Sequence, residues 1–172
     1  MIRKAVTGDI DAVEKIYDAI HSGIEAGRIP QKWARNVYPT RQTADRALES
    51  GELFVEVEDG EVTAAAIINR KQGSKYENGN WRYQAQPQEV MVMHTLVVDP
   101  RFSGRGCGTR MMGFYEQYAK DRCCKCLRLN TQAQNTPVRR FYAKLGYEEA
   151  GITGCTFHGI PDVQLVFLEK KL

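Results

Sequence analysis

Apolar residues recur along the chain at two different spacings, and the switches between them mark out the elements. Ile2–Val6 alternates apolar and polar positions, the pattern of an edge strand. Ile10, Val13, Tyr17, Ile20 and Ile24 then recur every three or four residues, which predicts a helix with one apolar face. Thr7 or Asp9 can cap its start, and Gly23 and Gly27 loosen its end. A second short helix fits Thr40–Ser50, closed by Gly51. Leu53–Val57 and Val62–Ile68 read as strands, joined through Glu58-Asp59-Gly60-Glu61 by a hairpin turn of the Asp-Gly kind. Lys71–Gln88 is a polar loop of 18 residues carrying Tyr76, Trp81 and Tyr83. Loops that long are uncommon inside a compact domain and are often functional. Glu89–Val98 reads as a buried strand stopped by Asp99-Pro100. A glycine-rich turn leads into a helix over Thr109–Arg122. A strand at Leu127–Thr131, a helix at Pro137–Leu145 followed by Gly146, and closing strands at Tyr147–Ile152 and Val163–Glu169 complete the chain.

The order is therefore β-α-α-β-β-β-α-β-α-β-β. The early hairpin requires antiparallel pairing, and the strand-helix-strand at Glu89–Thr131 requires a right-handed parallel crossover. Both belong in one mixed α/β (α+β) sheet with helices on both faces. No repeat or Pro-, Gly- or Ser-rich linker divides the 172 residues, so residues 1–172 are read as one domain.

Composition narrows the class. With 42% hydrophobic and 26% charged residues, the chain is neither disordered, collagen-like nor low-complexity. No apolar stretch approaches the roughly 18 residues of a membrane span, and the start, Met1-Ile2-Arg3-Lys4, runs quickly into polar sequence, unlike a signal peptide. The net charge of +3 is small for a nucleic-acid binder. Its one local bias, Arg101, Arg105 and Arg110, suits a compact polyanion better than a duplex. The five cysteines are an odd number, read as reduced thiols in a cytosol, hence a cytoplasmic protein. Cys123-x-x-Cys126 has the spacing of half a zinc site, but no second pair completes it, so no metal is expected.

The strongest chemical signal is Ser103-Gly104-Arg105-Gly106-Cys107-Gly108-Thr109, between a buried strand and a helix. Glycines let backbone approach a ligand closely, and a helix start offers free N–H groups to an anion such as a pyrophosphate. An ordinary turn is the plain alternative. A dinucleotide fingerprint would need Gly at 109 or 111, which are Thr109 and Met111, and the Gly-Lys-Ser/Thr ending of a P-loop is absent. A second signal lies downstream in Asn130, Asn135 through Tyr142, and Leu145-Gly146-Tyr147. Taken alone, Asn135 reads as a helix cap and Tyr142 as a packing residue.

Together Leu96-Val97-Val98-Asp99-Pro100, the loop Ser103–Thr109, Asn135 through Tyr142 and Leu145-Gly146-Tyr147 resemble the GNAT superfamily of acyl-CoA-dependent N-acetyltransferases. The element order matches as well, so the resemblance covers nearly the whole chain. One departure stands out: the family usually has Arg or Gln at the first loop position, here Ser103. Arg101 or Arg105 can supply that charge. The resemblance implies a sheet split between the strands ending at Val98 and Thr131, with pantetheine in the gap, paired to the strand edge at Leu96–Val98. A backbone N–H there would stabilise the oxyanion. The pyrophosphate would lie on Ser103, Gly104, Arg105, Gly106, Cys107, Gly108 and Thr109, Asn135 would bind CoA, and Tyr142 would protonate the departing thiolate.

A free amine has a pKa of about 10.4, so the acceptor must lose a proton before it attacks. His94, two residues before Leu96, is a candidate base or a satisfied core histidine; Glu89 is an alternative, and Val92 cannot act. Tyr17, Trp33 and Tyr38 near the first helices are core or pocket wall, and His21, with Asp18, is part of that wall or a solvated helix edge. Trp81 and Tyr83 are either the lid over an acceptor amine or anchors for their loop, and the turn Phe157–Pro161 is expected to rim the acceptor site. The resulting expectation is an acetyl-CoA-dependent N-acetyltransferase acting on a primary amine of a small molecule or a peptide terminus. A non-catalytic acyl-CoA-binding module of the same fold is the rival. Nucleic acid and membrane are not expected partners, and a homodimer is the default, as in many relatives.

Overall fold

The computed structural model describes residues 1–172. Eleven elements appear in the expected order: β1 (Ile2–Lys4), α1 (Ile10–Glu25), α2 (Arg41–Glu49), β2 (Leu53–Glu58), β3 (Glu61–Asn69), β4 (Val90–Val98), α3 (Cys107–Lys120), β5 (Cys126–Gln132), α4 (Thr136–Lys144), β6 (Glu148–Phe157) and β7 (Ile160–Lys171). The strands form a seven-stranded sheet in the order β1-β2-β3-β4-β5-β7-β6. No helix is long and apolar enough to cross a membrane.

The chain divides into two compact units. One comprises Met1–Ile29, Trp33–Ile68 and His94–Tyr115; the other comprises Pro30–Lys32, Asn69–Met93 and Glu116–Leu172. In the first, the apolar face of α1 (Ile10, Val13, Ile16, Tyr17) packs with Ala44 and Ala47 of α2 and with Leu53, Val55, Ala65 and Val97 from the strands. Burying such side chains contributes about 1.5–3 kcal/mol each for the larger ones. Asp9 does not cap α1 with its side chain as expected. It folds back instead, accepting from the Val6 amide at 2.8 Å and from the Arg3 guanidinium at 2.6 and 2.9 Å.

In the second unit, Val90, Val92, Cys126, Ala150 and Phe167 form a core closed by Tyr76. The parallel β4–β5 ladder runs from Val90–Cys126 to Met93–Leu129, while β4 continues to Val98 and β5 to Gln132. The ladder thus stops short of both strands' C-terminal ends. The closing hairpin is longer than expected. β6 runs through Gly151, whose φ of 117° accompanies a register shift between Glu149 and Ile152, and only His158-Gly159 separates it from β7. The anticipated turn Phe157–Pro161 therefore shrinks to two residues, with Phe157 and Ile160 paired across it.

Candidate functional site

The glycine loop is held from below and left open above. At the end of β4, Asp99 accepts from the Arg101 amide at 2.9 Å and from its guanidinium at 3.0 and 2.7 Å. Burial pushes this carboxyl up, but the Arg101 bonds outweigh it, so Asp99 titrates below the ordinary carboxylate range. Gly104 and Gly106 then take φ of 77° and 80°, a conformation L side chains rarely adopt. α3 begins at Cys107, two residues earlier than expected, so Cys107, Gly108 and Thr109 form its first turn. Their amides have no acceptor within the helix. Arg110 fixes the loop from the other side. Its Nη1 donates to the Arg105 carbonyl at 2.7 Å, and its Nε bonds the buried Glu56 carboxylate. Carbonyl engaged and first-turn amides unengaged is the donor arrangement an anion requires. The charge expected from Arg101 is not available, since that side chain is held by Asp99 and lies 3.3 Å from Glu61. Arg105 is exposed and lies over the Phe102 ring at 5.1 Å.

Along β4, half-buried His94, Leu96 and Val98 alternate with buried Thr95 and Val97. Thr95 has φ of 51°, a left-handed conformation that is unusual and costly for a β-branched residue. The Tyr38 hydroxyl bonds its Oγ1. Neither the kink nor the partner shows in the sequence, because the two residues lie 57 positions apart.

The structure groups Tyr17, His21, Trp33 and Tyr38 within the first unit. Trp33 meets Tyr38 edge-on, with centroids 5.7 Å apart. His21 Nε2 lies 2.9 Å from the Pro39 carbonyl, while its Nδ1 and the Tyr17 hydroxyl are buried without a hydrogen-bond partner. Burial, with Tyr38 nearby, pushes the Tyr17 phenol up. A cavity of about 510 Å³ opens in the same unit, within the range of small-molecule pockets. Ile20 and Gly23 of α1 form one side, Val98, Pro100 and Ser103 another, and Arg28 also lines it. Sequence reasoning missed Arg28. Its signal was Gly27, the glycine that ends α1.

The second unit holds Asn135, Tyr142, Trp81, Tyr83 and Glu89. Asn135 starts α4 by accepting from the Val138 amide at 3.4 Å, and its Nδ2 donates to Gln31 Oε1 at 3.0 Å. Tyr142 is buried, packed between Phe141 and Tyr147. Desolvation pushes its phenol well up, so it stays protonated through neutral pH. Trp81 stacks on Tyr76 at 5.8 Å, meets Phe167 edge-on and donates Nε1–H to the Tyr76 carbonyl at 2.7 Å. Tyr83 donates to Glu148 at 3.1 Å. Both therefore hold their loop against the sheet. Glu89 is paired with Lys125 and accepts from the Gln86 amide at 2.9 Å, which lowers its pKa and leaves it a poor base.

Comparison with known proteins places the chain in a family. Residues 12–147 match the model of the acetyltransferase (GNAT) family, and the chain belongs to that family. An uncharacterised N-acetyltransferase of Methanocaldococcus jannaschii is 29% identical over 149 residues, covering 86% of this chain and 60% of that protein. The chain thus spans about 60% of that relative's length. Among solved structures, a GNAT-family acetyltransferase from Streptococcus agalactiae is similar in fold, with TM-score 0.80, 21% identity and coverage of 100% and 95%. An acetyltransferase-like protein from Salmonella typhimurium, solved with its cofactor acetyl-CoA, has TM-score 0.68, 19% identity and coverage of 100% and 93%.

Proposed function

We propose that the chain transfers an acetyl group from acetyl-CoA to a primary amine on a small molecule or a peptide terminus. The observation that carries this reading is the loop Gly104–Thr109, with two left-handed glycines, an anchored Arg105 carbonyl and a helix start whose amides are unengaged. Those amides suit the CoA pyrophosphate. The β4 edge at Leu96–Val98, beyond the β5 ladder, suits the amide-bearing pantetheine arm, and one N–H there would face the thioester oxygen. Asn135 is assigned to CoA binding on family grounds.

Tyr142 gives the departing sulfur its proton. Its buried phenol keeps that proton at neutral pH, which is what an acid in waiting needs. His94 takes the proton of the acceptor amine, directly or through water. Of the four residues expected at the acceptor, half-buried Trp33 can offer an aromatic face to a cationic amine, while Tyr17, His21 and Tyr38 are buried within the unit and do not contact it. Trp81 and Tyr83 anchor their loop and are not in contact with the acceptor in this reading. The test is release of free thiol from acetyl-CoA across polyamines, amino acids, aminoglycosides and peptides. Turnover with one class is expected. Tight CoA binding with no thiol release from any amine would replace this reading with a binding module. Tyr142→Phe removes only a hydroxyl, so CoA affinity should hold while kcat falls about 10²–10⁴-fold. A kcat within twofold of the parent would remove Tyr142 from the role.

A further inference from the structure

Ser103 brings no charge to the head of the glycine loop, and the cavity it lines also takes in Arg28. α1 ends in a Schellman motif: the Gly27 amide bonds the Ile24 carbonyl at 2.9 Å and the Arg28 amide bonds the Gly23 carbonyl at 2.8 Å, with Gly27 at φ of 71°. Ile29 folds back over Gly23 so closely that a Cβ there would lie 2.7 Å from Ile29 Cδ1. These bonds fix the Arg28 backbone at the cavity that also takes in Val98 and Ser103. Of the nearby arginines, Arg101 is committed to Asp99 and Glu61 and Arg110 to Glu56 and Glu58, while Arg105 lies exposed over the Phe102 ring on the loop itself. The Arg28 guanidinium has no carboxylate partner and is exposed at its cavity.

We infer that Arg28 binds the pyrophosphate of CoA, bringing a guanidinium to the end of the cavity where Ser103 carries no charge. The inference rests on the proposed use of acetyl-CoA. A guanidinium matches phosphate oxygens with paired N–H donors, so one side chain can take two oxygens. The apolar walls beside it, Ile20, Ile29, Val98 and Pro100, suit the arm that follows.

The test compares three probes by calorimetry on the full chain: CoA, 3′-dephospho-CoA and pantetheine. Arg28 is exposed, so Arg28→Ala should fold, and its melting temperature provides the check. Arg28→Ala should raise the Kd of CoA and of dephospho-CoA alike by about tenfold, the size of a lost charged hydrogen bond. Pantetheine should be unaffected, and Arg28→Lys should recover part of the loss. Parent-like CoA affinity in Arg28→Ala overturns the inference and leaves the proposed function standing. Equal weakening of pantetheine, or a loss confined to CoA with dephospho-CoA unchanged, also overturns it, since the contact would then be the wall or the 3′-phosphate. A parent protein that binds none of the three overturns both readings.

Discussion

Two connections in this chain are both stapled by a buried strand carboxylate, yet they are built for opposite ends. The glycine loop after β4 is tied through Arg110 to Glu56, which is 2% exposed. The loop 71–88 is tied to Glu169, fully buried, which accepts from the Arg82 amide at 2.7 Å and the Tyr83 amide at 3.4 Å. In the first, a side chain bridges carboxylate to carbonyl, so the amides of the following helix turn stay unengaged. In the second, the carboxylate takes the loop's own amides, and Tyr76, Trp81 and Arg128 stack into the remaining space. A long aromatic loop is thus no sign of a binding surface by itself; what matters is whether its donors and rings are already satisfied.

Substitution at the centre of each connection should separate them. Gly106→Val puts a β-branched side chain at φ of 80°, with its Cβ 3.4 Å from Arg110 Nη1. It also crowds the amides proposed for the pyrophosphate. Losing two charge-assisted contacts should raise the CoA Kd about 100-fold or more, while the melting temperature falls modestly. A folded variant with parent-like CoA affinity would mean that the loop is only a turn.

Trp81→Ala should do the reverse. It empties a half-buried site lined by Tyr76, Phe167 and Arg128, and should cost about 3 kcal/mol in chemical denaturation. CoA affinity should stay within about twofold, and KM for the acceptor should hold wherever the protein remains folded. A raised acceptor KM with parent-like stability would instead restore the ring to a lid role and erase the contrast.

How far each region could be read in advance follows from the range of its determinants. The glycine loop is legible because left-handed turns select glycine locally, so Gly104 and Gly106 show in the letters. The start of α3 was read too late, because Gly108 is a poor helix former, although Gly106 is the last left-handed residue before the helix. Gly27 was visible, but it reads as a loosened end, whereas it closes a defined motif that fixes Arg28. The kink at Thr95 was not legible at all. A β-branched residue in an apolar run reads as extended, and the Tyr38 hydroxyl that bonds it comes from a distant segment. Likewise, Trp81 can be recognised as an anchor only once Phe167 is known to lie beside it.

The smallest expected effect is a divergence with pH. Asp99, at the root of the glycine loop, has a folded pKa below its unfolded value of about 3.9. A group depressed in this way stabilises the fold above the unfolded pKa, and that contribution is lost as pH falls through the folded pKa. Tyr83, in the other connection, has its pKa raised above the ordinary value near 10, chiefly by its hydrogen bond to Glu148. Its contribution is complete below the unfolded pKa and disappears as pH rises toward the folded one. The two connections should therefore loosen at opposite ends of the scale. Amide hydrogen exchange, corrected for its intrinsic pH dependence, would follow each one separately. Below about pH 4 the amides around residues 99–103 should lose protection first, and above about pH 10 those around residues 80–83 should do so. Asp99→Asn should abolish the acid response of its own segment and leave the alkaline response of the other unchanged, and Tyr83→Phe should do the converse. If either variant altered both responses, the two connections would not be independently stapled, and the contrast drawn from Glu56 and Glu169 would fail.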